Sequence, residues 1–264
     1  MQPRSLRSIR YLVGMLKSFI YLMKFNFKIN SQNIEILVGD SEHFRREFLT
    51  QKGYFGLGPN ITQEELESRA SLDHVDQIQR TIKYLATDKD ITIIDIGAGN
   101  SIADLVLAKM FNLANFVLLD GNSWAEQQEI RSADFKPYNS WRHLRYTIGI
   151  NQLDPNRFNL VDLDYAFDQP ADLIMSCGAW GFHFPLETYL DAALNALKPG
   201  GILSIAPILN IDNPIETLNS RLTPLDITEI NYDTRNAKDL EGFSKYFPKD
   251  FSGPRIYTGI WRKD

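Results

Sequence analysis

One short segment, in which an apolar strand runs into a glycine turn and then a helix, constrains the fold of this chain more than any other. Isoleucine fills four of the six positions from 91 to 96, as in a strand buried on both faces of a parallel sheet. Gly97 and Gly99 follow, and glycine lets the backbone turn tightly and approach a ligand closely. The first N–H groups of the next helix have no partners within the helix and can face that ligand. The segment therefore predicts a nucleotide-binding junction, with Asp95 accepting from an ammonium or hydroxyl group.

A second strand narrows the choice of ligand. Residues 116–119 are apolar and lead into Asp120, about 20 residues past the glycine turn, where an acid can bind the hydroxyl groups of a ribose. The dinucleotide fingerprint would also place a glycine where this chain has Ile102. A pyrophosphate is therefore disfavoured, and the pattern indicates an adenosine-like ligand whose charged group lies near Asp95 and Gly97.

Helices and strands alternate beyond Asp120, which predicts a doubly wound α/β fold around seven mostly parallel strands. The two strands already described are followed by five more, expected at 158–162, 171–176, 201–208, 226–232 and 255–262. Residues 212–221 are expected to form the helix after the fifth strand.

The chain is strongly basic at its start, with six basic residues and no acidic residue before Glu35. On a helical wheel the basic residues share one side and the apolar residues the other, which predicts a basic amphipathic helix over residues 1–34. Such a helix can lie in a membrane interface, or it can pack its apolar face on the domain or on a second subunit. Peripheral membrane contact and a homo-oligomer through residues 4–28 both stay open. The acidic remainder argues against nucleic acid as the main partner.

Cysteine, histidine and hydropathy patterns point to a cytoplasmic protein without a metal centre. The single Cys177 excludes an internal disulfide, which suits a reducing compartment. No apolar run approaches the roughly 18 residues needed to span a bilayer, and no signal peptide is evident. The four histidines are scattered without ligand spacing, so no metal site is predicted, although a carboxylate-bound magnesium ion remains compatible with the sequence.

In the order and spacing of its motifs, the chain resembles the class I methyltransferases that use S-adenosylmethionine. Residues 95–99 are similar to the first motif of that family, and Asp120 is similar to its ribose-binding acid. Asp162 sits where the family contacts adenine. Residues 172–176 and 197–201 resemble its fourth strand and the turn into its fifth.

The resemblance covers roughly residues 75–264 and implies S-adenosylmethionine as the cofactor. One departure from the family pattern is Ser101, where many members have a third glycine. The expected domains are a basic helix over 1–34, a helical cap or substrate region over 35–88, and a methyltransferase domain over 89–264. The implied cofactor-binding residues are Asp95, Gly97, Gly99, Asp120, Asp162 and Ser176.

The loop after the predicted fourth strand, residues 176–185, combines glycines, aromatic residues and a histidine. Ligands of open α/β sheets bind at the carboxyl ends of the strands, so this loop is expected to face the methyl donor. Trp180 and Phe182 supply aromatic surface, and His183 can exchange a proton near neutral pH. Such a combination suits a sugar, whose ring has apolar faces and hydroxyl edges, and it also suits a phenol.

This loop is similar to one in predicted sugar O-methyltransferases of polysaccharide biosynthesis, with Phe184 in place of their usual tyrosine. The resemblance implies that His183 is the general base and that Trp180 is a platform for the sugar ring. Phe182 and Glu187 would be further substrate contacts. The alternative is structural, with His183 capping a turn, Trp180 in the core and Glu187 as the first-turn acid of the next helix, where the helix dipole favours it.

Three other functions are compatible with parts of the sequence. A small-molecule or phenol O-methyltransferase would use the same site. A nicotinamide oxidoreductase would share the first two motifs, but Ile102 and the turn at 199–201 argue against it. A non-catalytic scaffold would keep the Rossmann-like fold and fail to bind the cofactor.

Overall fold

The computed structural model describes residues 22–40, 75–86, 89–99, 101–120, 141–181, 185–209, 213–230 and 256–264. The strands in these ranges are β1 Leu22–Ile29, β2 Gln32–Asp40, β3 Thr92–Ile96, β4 Asn115–Leu119, β5 Phe158–Val161, β6 Ala171–Cys177, β7 Leu197–Leu209, β8 Thr223–Ile230 and β9 Ile256–Arg262. The α-helices are α1 Asp76–Thr81, α2 Ile102–Met110, α3 Trp141–Ile150, α4 Leu190–Ala196 and α5 Pro214–Asn219. Short 3-10 turns lie at Ile82–Tyr84, Pro155–Arg157 and Leu186–Thr188.

Seven strands form one sheet in the order β5-β4-β3-β6-β7-β9-β8. The pairs from β5 through β7 are parallel, and β9 runs antiparallel to both β7 and β8. The chain moves from β3 outward to β5 and then crosses to β6 on the other side of β3. This reversal creates a crevice at the carboxyl ends of β3 and β6, where ligands of doubly wound sheets bind. The predicted fold class of the seven-stranded domain is confirmed.

The two faces of the sheet pack into separate apolar layers, because side chains alternate along each strand. Ile93 of β3 belongs to the layer beneath α2 and α3. Ile94 and Ile96 belong to the opposite layer, beneath α4. Asp95 therefore points to the same face as Ile93, toward α2.

The predicted N-terminal helix is wrong where the structure describes it, because residues 22–40 form an antiparallel hairpin of β1 and β2. Its buried and exposed side chains alternate with the period of a strand, and the buried ones are Phe25, Phe27, Ile29, Ile34, Ile36 and Val38. Asn30 and Ser31 link the strands with φ of 47° and 68°, as a tight two-residue hairpin turn requires. The same strands also correct the expected helical region from residue 35, since β2 continues to Asp40.

The buried face of the hairpin packs on the domain. It shares one apolar layer with α2 and with Trp141, Leu144 and Ile148 of α3. Because the sheet covers α2 on one side and the hairpin covers it on the other, every residue from 102 to 108 is buried. Residues 4–21 lie outside the described residues, so their contact with a membrane or a second subunit stays a prediction. None of the helices within the described ranges is long and apolar enough to cross a membrane.

Candidate functional site

Four strand ends form the base of the candidate site. The order β5-β4-β3-β6 places Asp162, Asp120, Gly97 and Gly178 next to one another, each directly following its strand. Neighbouring strands lie about 4.8 Å apart, so these positions form a row along the carboxyl edge of the sheet. The row brings together Gly97, Asp120 and Asp162, three of the six residues that the sequence predicts for cofactor binding.

The glycine turn is fastened to the end of β4. The N–H groups of Gly97 and Ala98 both donate to Leu119 O, at 2.8 and 3.1 Å. Gly97 and Gly99 have φ of 77° and 56°, a region that residues with a Cβ rarely enter. The turn therefore depends on glycine at these two positions.

Ser101 adopts a backbone conformation that favours glycine. Its φ is 54°, and it is the residue that precedes the first turn of α2. Ile102, at the position of the dinucleotide glycine, is buried in the core. A serine side chain at position 101 is therefore combined with a left-handed backbone at the end of the glycine turn.

Asp120 and Asp162 offer carboxylates at adjacent strand ends. Asp120 Oδ2 accepts from Gly99 N–H at 2.8 Å, which orients the carboxylate toward the glycine turn. Asp162 is half-buried, and its Oδ1 is buried without a hydrogen-bond partner among the described residues. A buried acceptor without a donor is unfavourable, so Asp162 Oδ1 fits a ligand that brings an N–H group.

Asp95 lies below the turn and faces a second buried acid, Asp104 of α2. Asp95 is 2 % exposed and Asp104 is fully buried. Burial raises the pKa of Asp95 well above its ordinary value, and the charges of Asp104 and Asp120 raise it further. Burial also raises the pKa of Asp104, to about 7, although the neighbouring Asp95 and Ser101 lower it in part.

Two of the predicted site residues have a different role in the structure. Ser176 is fully buried, and its hydroxyl donates to Ile96 O at 2.7 Å and accepts from Trp180 N–H at 2.9 Å. Its side chain thus ties the ends of β3 and β6 together and is not offered to a cofactor. Trp180 has 0 % exposure and packs in the layer beneath α4, while its indole N–H donates to Leu186 O at 2.8 Å. A sugar platform needs an open ring face, so that role is wrong for Trp180.

The remaining predicted substrate contacts are only partly visible. Phe182 and His183 lie outside the described residues, so their roles stay predictions. Glu187 is exposed in the first turn of the 3-10 segment Leu186–Thr188. The structural alternative predicts an acid at this first-turn position. A contact between Glu187 and a substrate stays a prediction.

Two residues near the site were missed from sequence. Asp104 sits within a run of buried residues, and a lone acid inside an apolar helix is the signal that could have identified it. Tyr189 donates its hydroxyl to Leu163 O at 3.1 Å. Burial raises its pKa, and so does the charge of Asp120, which places the phenol close to the predicted ribose acid.

Within the ranges that the structure describes, no group of three or more histidine, cysteine, aspartate or glutamate side chains is arranged to hold a metal ion.

No protein-family model matches the chain, and no curated protein sequence does. Solved structures do match its fold. The StiE O-MT fragment, residues 961–1257, superposes with a TM-score of 0.54 at 13% identity, covering 80% of this chain and 81% of that one. A geranyl diphosphate C-methyltransferase from Streptomyces coelicolor A3(2), crystallised with Mg²⁺, geranyl diphosphate and S-adenosyl-L-homocysteine, gives 0.53 at 10% identity, covering 78% and 86%.

A third structure, from Galdieria sulphuraria and provisionally described as a sarcosine dimethylglycine methyltransferase, gives a TM-score of 0.50 at 14% identity. The alignment covers 77% of this chain and 87% of that one. The seven-stranded sheet of this chain is therefore the Rossmann-like fold of methyltransferases.

Proposed function

We propose that this protein is an S-adenosylmethionine-dependent methyltransferase that methylates a hydroxyl oxygen of a sugar or glycan. The observation that carries the cofactor assignment is the row of Asp162, Asp120 and the glycine turn at neighbouring strand ends. Two strand spacings separate Asp162 from Gly97, or about 10 Å. A ligand with a base, a ribose and a charged tail in that order fits such a row.

Each position in the row has a distinct task in holding the cofactor. Asp162 Oδ1, a buried acceptor without a donor, would take the amino group of adenine. The carboxylate of Asp120, already oriented by Gly99 N–H, would take the ribose hydroxyls. The glycine turn would admit the methionine tail next to the backbone. S-adenosylmethionine supplies, when bound, a methyl group activated by a sulfonium.

The comparisons support the same cofactor. The geranyl diphosphate C-methyltransferase that shares the fold was crystallised with S-adenosyl-L-homocysteine. The S-adenosyl-L-homocysteine bound to that enzyme contains an adenosyl group, which fits the row of acids proposed here. The motifs of this chain also follow the order of those in the class I methyltransferases that it resembles.

Calorimetry with S-adenosylhomocysteine tests the cofactor assignment. Asp120→Ala and Asp162→Ala should each weaken binding by about 1.5 to 3 kcal/mol, because each removes a charged hydrogen-bond partner. Asp164→Ala, an exposed acid two residues from Asp162, is the matched control and should bind like the wild type. If NAD binds and S-adenosylhomocysteine does not, the oxidoreductase alternative is correct. If neither binds to the folded protein, the scaffold alternative is favoured.

The acceptor and the base are proposed from the loop that contains His183. A hydroxyl is a poor nucleophile while protonated, and a general base that accepts its proton contributes roughly 10²- to 10⁴-fold. Alignment of the acceptor oxygen with the methyl carbon and sulfur would supply much of the remaining acceleration. Since Trp180 lies in the core, the aromatic surface of this proposal rests on Phe182 and Phe184 alone.

Turnover of a panel of sugars, glycans and phenols, followed by release of S-adenosylhomocysteine, tests the acceptor class. His183→Ala should lower kcat by about a hundredfold or more and leave the affinity for S-adenosylhomocysteine unchanged, as loss of a general base requires. Parallel loss of cofactor affinity would show that His183 is structural. Methylation of phenols but not of sugars would refute the sugar acceptor and leave the methyltransferase intact.

A further inference from the structure

Two buried carboxyl groups meet beneath the glycine turn. Asp95 is the fourth residue of β3 and points to the face that α2 covers, and Asp104 lies in the first turn of α2. Asp95 Oδ1 and both carboxylate oxygens of Asp104 are buried without a hydrogen bond of ordinary geometry to the described residues, and the nearby Ser101 hydroxyl offsets only part of the effect of burial on the pKa of Asp104. Two carboxylates in this position repel one another and are both desolvated, so the pair is stable only while it holds a proton.

The other described groups around the pair do not compensate for its charge. Leu118 of β4 and Met175 of β6 are the register partners of Asp95 and are apolar. Asp120 adds a further negative charge above the pair. Among the side chains that the structure describes, the remaining ionisable groups on the packed elements are Lys109 of α2, which donates to Asn151 O, Cys177 of β6, which shares the buried face, Asp172 of β6, which pairs with Lys198, and Glu35 of β2 and Arg145 and Tyr146 of α3, which are exposed.

We propose that Asp104 is a positioning residue for cofactor binding, which acts by sharing a proton with Asp95 that is displaced by the ammonium group of the cofactor's amino-acid tail, a group that S-adenosylhomocysteine also carries. When the tail approaches the turn, an O–H bond of the pair breaks and the proton passes to water, while the bonding electrons stay on the carboxylate. The added negative charge then faces the cationic tail through a medium of low dielectric, where the attraction is strong. This inference rests on the proposed function, because it assumes that the ligand is a cation at this end.

The direction of the pH effect follows from the raised pKa values. Below about pH 7, where Asp104 is protonated, the cofactor must displace a proton in order to bind. A lower pH therefore opposes binding, and the affinity should fall by up to about tenfold per pH unit. Above that pH the carboxylate of Asp104 is already ionised, and the affinity should level off.

Calorimetric titration with S-adenosylhomocysteine in phosphate and in Tris buffer counts the released protons, because the two buffers differ in ionisation enthalpy. We expect about one proton released near pH 6 and an affinity about fivefold lower there than near pH 7. Asp104→Asn should release about one proton fewer than the wild type near pH 6 and should lose the part of the pH dependence that Asp104 contributes. Asp164→Asn, an exposed acid, is the matched control and should behave like the wild type.

A second measurement needs no variant and decides the question if Asp104→Asn does not fold. In the wild type, ¹³C NMR of aspartate carboxyl carbons should show a titration near pH 7 that moves at least one unit lower when S-adenosylhomocysteine is added. Tight binding without proton release, and with the same affinity near pH 6 and pH 7, would overturn the role of Asp104 and leave the proposed function standing. Absence of binding at any pH would overturn the proposed function itself.

Discussion

Ser101 stands where the family motif often has a third glycine, and its backbone has the left-handed conformation that favours glycine. The backbone of Ser101 has a φ of 54°, which costs an L-residue about 1 kcal/mol or more relative to glycine. The chain accepts this cost at the junction between the glycine turn and α2. The sequence pattern identified the serine at this position, but only the backbone angle shows that it adopts a conformation that favours glycine.

Replacing Ser101 with glycine should stabilise the protein by about 1 kcal/mol, because glycine adopts this conformation without strain. Ser101→Val should destabilise it by more than that, since a β-branched side chain is disfavoured at positive φ. Urea unfolding of the two variants and the wild type measures both effects. Equal stabilities for all three would mean that the backbone at position 101 is unstrained in solution.

Trp180 shows where prediction of single residues fails. The motif indicated that an aromatic residue follows the fourth strand, but not which way its ring turns. In the structure the indole lies in the layer beneath α4, together with Ile94, Leu203 and Trp261. These residues are far from Trp180 in sequence, so the local pattern does not reveal the orientation of the ring. The strand-end acids were predictable, because their positions follow directly from where each strand ends.

Among the secondary-structure elements, the N-terminal hairpin is the main departure from the sequence prediction. Its apolar residues satisfy a helical wheel when they are considered together with those of residues 4–21, which favoured the helix. Within residues 25–38, however, burial alternates residue by residue on both sides of Asn30 and Ser31. The two-residue period and the turn residues indicate the hairpin correctly. The helix prediction gave more weight to the amphipathic pattern of the longer segment.

Asn151, which follows α3, closes the outer edge of the hairpin. Its side chain accepts from Leu37 N–H at 2.9 Å and donates to Leu37 O at 2.7 Å and to Thr147 O at 2.9 Å. It thus imitates the backbone of a third strand and satisfies an edge that would otherwise lack partners. This amide joins β2 to the methyltransferase-fold domain.

Asn151→Ala should destabilise the protein by about 2 kcal/mol, because it removes the side-chain partner of the partly buried N–H and C=O groups of Leu37. Asn33→Ala, on the exposed face of β2, should be nearly neutral and is the matched control. Urea unfolding measures the stability, and hydrogen exchange should show that Leu37 N–H loses its protection in Asn151→Ala alone. Unchanged protection at Leu37 would show that the hairpin does not depend on this contact.

At the scale of the whole molecule, the alternating order of strands and helices predicted the doubly wound sheet because each step has a simple physical cause. Strands buried on both faces require helices on both faces, and parallel pairs require crossovers. What covers α2 from outside was not predictable in this way. That layer comes from the hairpin, which lies far from α2 in sequence and meets it only through the shared apolar core.

The buried pair of Asp95 and Asp104 should also make the stability of the whole protein depend on pH. The pKa of Asp104 is about 7 in the folded protein against an ordinary value of 3.8. The folded state therefore binds more protons than the unfolded state between these values. The free energy of unfolding should therefore fall as pH rises from about 4 to 7, by up to about 4 kcal/mol, because Asp104 ionises in the unfolded chain and stays protonated in the folded protein.

Asp104→Asn removes the buried charge and should therefore be more stable than the wild type near pH 8. The gain should shrink as the pH falls and vanish near pH 4, where Asp104 is protonated in both folded and unfolded protein. Urea unfolding across this range measures the difference, and Asp76→Asn, an exposed acid in the first turn of α1, is the control. A pH-independent difference between Asp104→Asn and the wild type would mean that Asp104 titrates alike in folded and unfolded protein. If the gain in stability is confined to high pH, ionised Asp104 destabilises the wild-type protein. A role in binding would explain why the chain keeps this destabilising acid beneath the glycine turn.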